Sequence, residues 1–279
     1  MNLHLSPSDA LRAARLRRTS AENDRILLLL SHYLNLTPRL LDTHTVRDLA
    51  LDCSIPEDDA FRALLAAACG LEIPDNPDDR RLERLYLQPG LHRLSPAPYR
   101  NDAYARTVRF SDLTVGKWCF THGEYRAFEP FVCGHPVVTP DFREIPQIGY
   151  FPETFRYPSV TENGVDWMTV TPNEVETMRA PIAEARGRVL TYGLGLGYFA
   201  FHAAQKAVVE SVTVVERDET LIGLFRERIL PQFRRGRKSG LSPQTPSISP
   251  GSRWNRGSLT SHSLTSGTIN RTVCRSTCA

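Results

Sequence analysis

Apolar residues along the first third of the chain recur at the three- and four-residue spacing of a helix face. Ser6-Pro7-Ser8-Asp9 and Thr19-Ser20-Ala21-Glu22 both have the capping-box pattern, a hydroxyl followed three residues later by an acid. Each predicts the opening of a helix. The second helix, over about 21–36, carries Ile26, Leu27, Leu30, Leu34 and Leu36 and stops near Pro38. Segments 45–53 and 56–69 predict a further helix pair across Ser54-Ile55. A proline- and acid-rich link at 74–79 leads into 80–87, and Pro89-Gly90 ends the pattern. Residues 1–90 read as a helical N-terminal region.

From 91 to 164 the pattern changes. Aromatic and β-branched residues gather in short runs at 107–110, 115–121, 125–128 and 131–138, punctuated by Gly116, Gly123 and Gly134. They predict a small antiparallel sheet of two to four strands. Segments 147–150 and 155–158 read as a proline-broken bridge, and 165–170 as a strand. Thr171-Pro172-Asn173-Glu174 then combines an N-cap hydroxyl, a first-turn proline and an acid at the third position. It predicts a helix over 172–185 with Val175, Met178 and Ile182 on its apolar side.

The densest signal lies at 187–218. A short apolar run, 188–191, stops at Gly193, Gly195 and Gly197. A stretch free of proline and glycine, 198–208, suits a helix, and a second apolar run, 212–215, ends in Glu216. The order is strand, glycine turn, helix, strand, acid, the opening of a nucleotide-binding α/β domain. Glycines let the backbone turn sharply and let a ligand lie against it. Glu216 follows Gly193 by 23 residues, near the offset of about 20 at which a carboxylate accepts ribose hydroxyls. Asp218 can cap a helix over 219–230, which Pro231 ends. Tyr198 stands where a dinucleotide fingerprint needs its third glycine, and no Lys-Ser/Thr pair makes a P-loop.

Val189-Leu190-Thr191-Tyr192-Gly193-Leu194-Gly195-Leu196-Gly197, followed by Val212-Thr213-Val214-Val215-Glu216-Arg217-Asp218, resembles the class I S-adenosylmethionine-dependent methyltransferases, and within them the spermidine synthase-like branch. The resemblance covers about residues 165–233. It implies an incomplete Rossmann-like methyltransferase domain there, preceded by the helical and small β regions. It also implies S-adenosylmethionine as cofactor, with Gly193, Gly195 and Gly197 against it and Glu216 on its ribose. The activity implied is methyl transfer to a small-molecule or other acceptor. The alternatives are aminopropyl transfer to a polyamine and a non-catalytic binding or assembly role. Two departures stand out: Thr191 where the family usually carries an acid, and Leu196 where the spermidine synthase branch carries an aspartate. Trp167, Met168 and Glu174 are candidate lid or substrate contacts in such a fold. The loop that supplies acceptor-side groups follows a later strand, so no catalytic residue is named.

Composition sharpens this picture at the C-terminus. Residues 234–279 hold eight Lys/Arg, no acid and sixteen Ser/Thr, without apolar periodicity. Such a segment predicts disorder. The break falls where a third strand is due, as expected of a truncated or frame-shifted reading, which would be inactive. Without this basic tail, residues 1–233 carry 26 basic and 31 acidic residues, which argues against a nucleic-acid partner. The 45–69 helix pair has a helix-turn-helix outline, but its second helix opens Pro56-Glu57-Asp58-Asp59 and turns apolar, unsuited to DNA. Six scattered cysteines, without C-x-x-C pairs or a signal peptide, predict a cytoplasmic protein without disulfides. Cys119-x-x-His122 and Cys133-x-His135 lack zinc-ligand pairing at both ends, so no metal is expected. No apolar run is long enough for a membrane span.

Overall fold

In the computed structural model, which describes residues 7–234 and 247–250, the chain is a mixed α/β protein with several sheets. Its helices are α1 (Pro7–Leu36), α2 (Thr43–Cys53), α3 (Glu57–Ala68), α4 (Pro77–Leu82), α5 (Gln88–Gly90), α6 (Ala97–Arg100), α7 (Ala103–Thr107), α8 (Pro172–Glu184), α9 (Tyr198–Ala204) and α10 (Glu219–Leu224). Its strands are β1 (Leu91–Arg93), β2 (Leu113–Val115), β3 (Trp118–Tyr125), β4 (Phe131–Val138), β5 (Glu144–Tyr150), β6 (Phe155–Glu162), β7 (Val165–Thr169), β8 (Gly187–Tyr192), β9 (Val209–Glu216) and β10 (Ser247–Pro250). Wider π turns, Glu83–Leu87 and Phe225–Ile229, continue α4 and α10. Contacts divide the chain into two interleaved units, Met1–Pro96 with Glu124–Phe155, and Ala97–Gly123 with Arg156–Ala279.

The first unit is built on α1. The two helices expected from the capping boxes are one helix of 30 residues. The acid that would have closed the second box, Glu22, is held elsewhere. Its Oε1 accepts from Arg18 Nε at 2.9 Å and from Arg81 Nε at 2.8 Å. With no proline or glycine between Pro7 and Leu36, nothing stops the helix at Thr19. Ile26, Leu30 and Tyr33 of α1 enter a core with Val46, Phe61, Leu65, Leu82 and Tyr150. The expected helix pair is present, with Asp42 capping α2 through the Thr45 amide. A three-stranded sheet, β1-β5-β4, completes this unit, with β4 antiparallel and β1 parallel to β5.

The small antiparallel sheet expected within 91–164 is therefore corrected to two sheets. The second is four-stranded, β2-β3-β6-β7, in the other unit. Its β6–β7 hairpin turns at Asn163 and Gly164, both with positive φ. Segments 147–150 and 155–158, expected as a proline-broken bridge, lie instead in β5 and β6, where ladder pairing on both sides of each strand outweighs the local proline signal. The expected strand at 107–110 is absent, because Thr107 closes α7 and no ladder partner follows.

The second unit also holds a parallel sheet in the order β10-β9-β8. β8 and β9 pair through Val189↔Val212 to Tyr192↔Val215, with α9 as the crossover. The expectation of a structureless tail without a third strand is overturned at Ser247–Pro250, which lies parallel to β9, Ile248 opposite Val214. Ile248 is buried, and Arg226 Nη2 donates to its carbonyl at 2.5 Å. One four-residue strand needs a single core residue, which composition averaged over the whole tail does not reveal. The expected disorder of 235–246 and 251–279 falls outside the described residues. Among the described residues no helix is long and apolar enough to cross a membrane.

Candidate functional site

Everything singled out around the glycine turn lies in the second unit. β8 delivers the chain to the turn at Tyr192, and the Gly193 amide donates to the Val215 carbonyl at 2.8 Å, which keeps the turn beside the end of β9. Gly193, Gly195 and Gly197 have φ of 83°, 53° and 81°, a region that costs other residues about 1–2 kcal/mol each. Their surroundings differ. A Cβ at Gly193 would meet nothing within 4 Å; at Gly195 it would lie 2.7 Å from Met168 Cε, the tip of a flexible side chain. At Gly197 it would lie 2.5 Å from the Phe225 ring. Gly193 thus leaves room along the turn, Gly195 is covered by the tip of Met168, and Gly197 serves the packing of α9 on the chain after β9. α9 itself is shorter than the 198–208 helix expected, ending at Ala204.

Glu216 stands where the spacing put it, at the end of β9, with its carboxylate turned to the glycines. Oε2 accepts from the Leu194 amide at 3.0 Å, inside the turn. Oε1 accepts from the amides of Arg217 at 2.7 Å and Asp218 at 3.1 Å. A carboxylate offers about four acceptor positions, so about one remains. Asp218 caps α10 through the Leu221 amide at 3.0 Å, and Lys117 Nζ lies 3.4 Å from its Oδ2 and 2.6 Å from Glu162 Oε1. Burial would raise the Asp218 carboxyl, but the Leu221 amide and Lys117 outweigh it and hold it below the usual range.

The candidate lid residues are placed unevenly. Met168 reaches Gly195 and joins the core edge of this unit. Trp167, 39 % exposed, sets its ring edge-on to Trp118 at 5.7 Å. Thr171 caps α8 as expected, with Oγ1 3.5 Å from the Glu174 amide. Burial raises the Glu174 carboxyl.

Three residues around the turn, Asp102, Tyr104 and His202, escaped the sequence. Tyr104 is fully buried, and its hydroxyl donates to the Leu196 carbonyl. Asp102 Oδ1 is 3.1 Å from His202 Nε2 and accepts the Tyr104 amide at 2.9 Å, while Oδ2 accepts from Tyr198 O–H at 3.3 Å. Burial would raise the Asp102 carboxyl, yet His202 and the amides of Tyr104 and Ala105 hold it low. The one local signal is Asp102 as an N-cap to the short α7. Its partners on α9 lie nearly a hundred positions downstream, beyond any local pattern.

Among the described residues no group of three or more His, Cys, Asp or Glu could hold a metal ion. No protein-family model, curated protein or solved structure matches the chain.

Proposed function

We propose that the chain binds S-adenosylmethionine at the 193–197 turn as a methyltransferase-like protein of the Rossmann-like class. The observation that carries this reading is the bond from the Leu194 amide to Glu216: the acid ending the second parallel strand faces the glycine turn after the first. The strand order β10-β9-β8 also agrees with the 3-2-1 half of a doubly wound nucleotide-binding sheet. In this reading a ligand lies along Gly193 and reaches Gly195 as the flexible tip of Met168 moves aside, and its ribose hydroxyl takes the acceptor position left on Glu216. The sulfonium supplies an already activated methyl group, so the protein's part is to hold donor and acceptor in line. No described residue is assigned as base to the acceptor. A second reading is favoured by the other bonds to Glu216: with three backbone amides on it, the carboxylate is a strut, and the turn belongs to a non-catalytic binding protein.

Calorimetric titration of the full chain with S-adenosylhomocysteine separates the two. The first reading expects saturable binding, weakened at least roughly tenfold in Glu216→Ala, the effect of losing a charge-assisted bond. Absence of binding leaves the strut.

A further inference from the structure

The Leu196–Gly197 peptide unit ends at Gly197, one of the turn's glycines of positive φ, and follows another, Gly195, in a stretch where glycine relaxes the backbone constraint. Both of its polar ends are nevertheless fixed. The Gly197 amide donates to the Leu194 carbonyl at 3.0 Å, and the Leu196 carbonyl accepts from the Tyr104 hydroxyl. The Tyr104 ring stands edge-on to Tyr198 at 5.3 Å and to Phe201 at 5.5 Å. Asp102 ties the Tyr104 backbone to both ends of α9, through Tyr198 and His202. Further along the same segment, Arg109 and Gln232 exchange two hydrogen bonds, 2.8 and 3.0 Å, closing it onto the chain after α10. Glu216 holds the turn at Leu194, and Tyr104 holds it at Leu196.

We infer that Tyr104, seated by Asp102, is a positioning residue that sets the shape of the glycine turn for its ligand. The inference rests on the reading of the turn as a ligand site. The ring alone would satisfy the core, since a phenylalanine keeps both edge-on contacts. The hydroxyl is a separate matter: a fully buried donor is committed to a carbonyl inside the glycine turn. Burial keeps that phenol protonated, so the donor persists over the working pH range. Without it the carbonyl is left buried and unpaired, and the peptide is held only through the Gly197 amide.

The test compares Tyr104→Phe and Tyr104→Leu in the full chain by thermal melting, titration with S-adenosylhomocysteine, and amide exchange over 193–199. The leucine variant should lose both stability and affinity. The phenylalanine variant should recover most of the melting temperature while binding about tenfold more weakly, the scale of one lost bond and one unpaired buried carbonyl. Its Leu194 and Gly197 amides should exchange faster than in the wild type. Phenylalanine that restores affinity and exchange along with stability overturns the positioning role and leaves the ligand reading intact. Wild-type chain that binds nothing overturns both.

Discussion

An alanine at Gly193 would place its Cβ in open space, whereas at Gly197 the same atom would lie 2.5 Å from the Phe225 ring. The first substitution should cost only the positive-φ penalty, about 1–2 kcal/mol. The second should add an overpacking cost of about 1–3 kcal/mol. Urea unfolding of the two variants measures the difference, and equal losses would show that Phe225 does not constrain the turn. Spacing made the three glycines and Glu216 legible in the sequence. It could not show that Gly197 answers to Phe225, because that contact depends on how the chain after β9 packs. Nor could it show Asp102, whose partner His202 is 100 residues away. Asp102 also carries a pH signature. Its folded-state carboxyl is held below the ordinary 3.8, so its stabilisation is present above that pH and is lost as pH falls through the lower folded value. Urea midpoints taken from pH 5 downward should therefore fall more steeply in wild type than in Asp102→Asn. Parallel profiles would remove Asp102 from the account.

At the scale of elements, the sequence spoke most clearly where a helix start has its own chemistry. Thr171 and Asp218, which the sequence pattern predicts as caps, accept the Glu174 and Leu221 amides as N-caps. Thr171→Ala should cost about 1 kcal/mol by chemical unfolding; an unchanged midpoint would mean that Pro172 alone sets the start of α8. The same cap grammar misled at Thr19, because ion pairs can claim the acid that a capping box requires. Strands were less legible than helices. The runs in 91–164 carried the right residue types, but the assignment of β3 and β6 to one sheet and β4 and β5 to another rests on pairing between distant segments. Periodicity is silent on pairing.

For the molecule as a whole, the largest departure from the sequence reading is β10. A composition-based boundary at residue 234 would discard it as tail. A chain ended after Arg234 should instead melt at a lower temperature, because β9 loses its partner from Thr213 to Glu216 and Arg226 loses the Ile248 carbonyl. Equal melting of the shortened and full chains would return Ser247–Pro250 to the status of an appendage. The bond from Tyr104 to Leu196 has a further consequence, in the order of assembly. β8, α9 and β9 are neighbours in sequence and can meet early, whereas Tyr104 must be brought across 92 residues, an entropic closure that favours late formation. The turn would then acquire its final shape last. In stopped-flow experiments Tyr104→Phe should accelerate unfolding and leave the refolding rate nearly unchanged. A slowed refolding limb would put the brace in the nucleus instead, and the ligand site would be among the first parts of the protein to form.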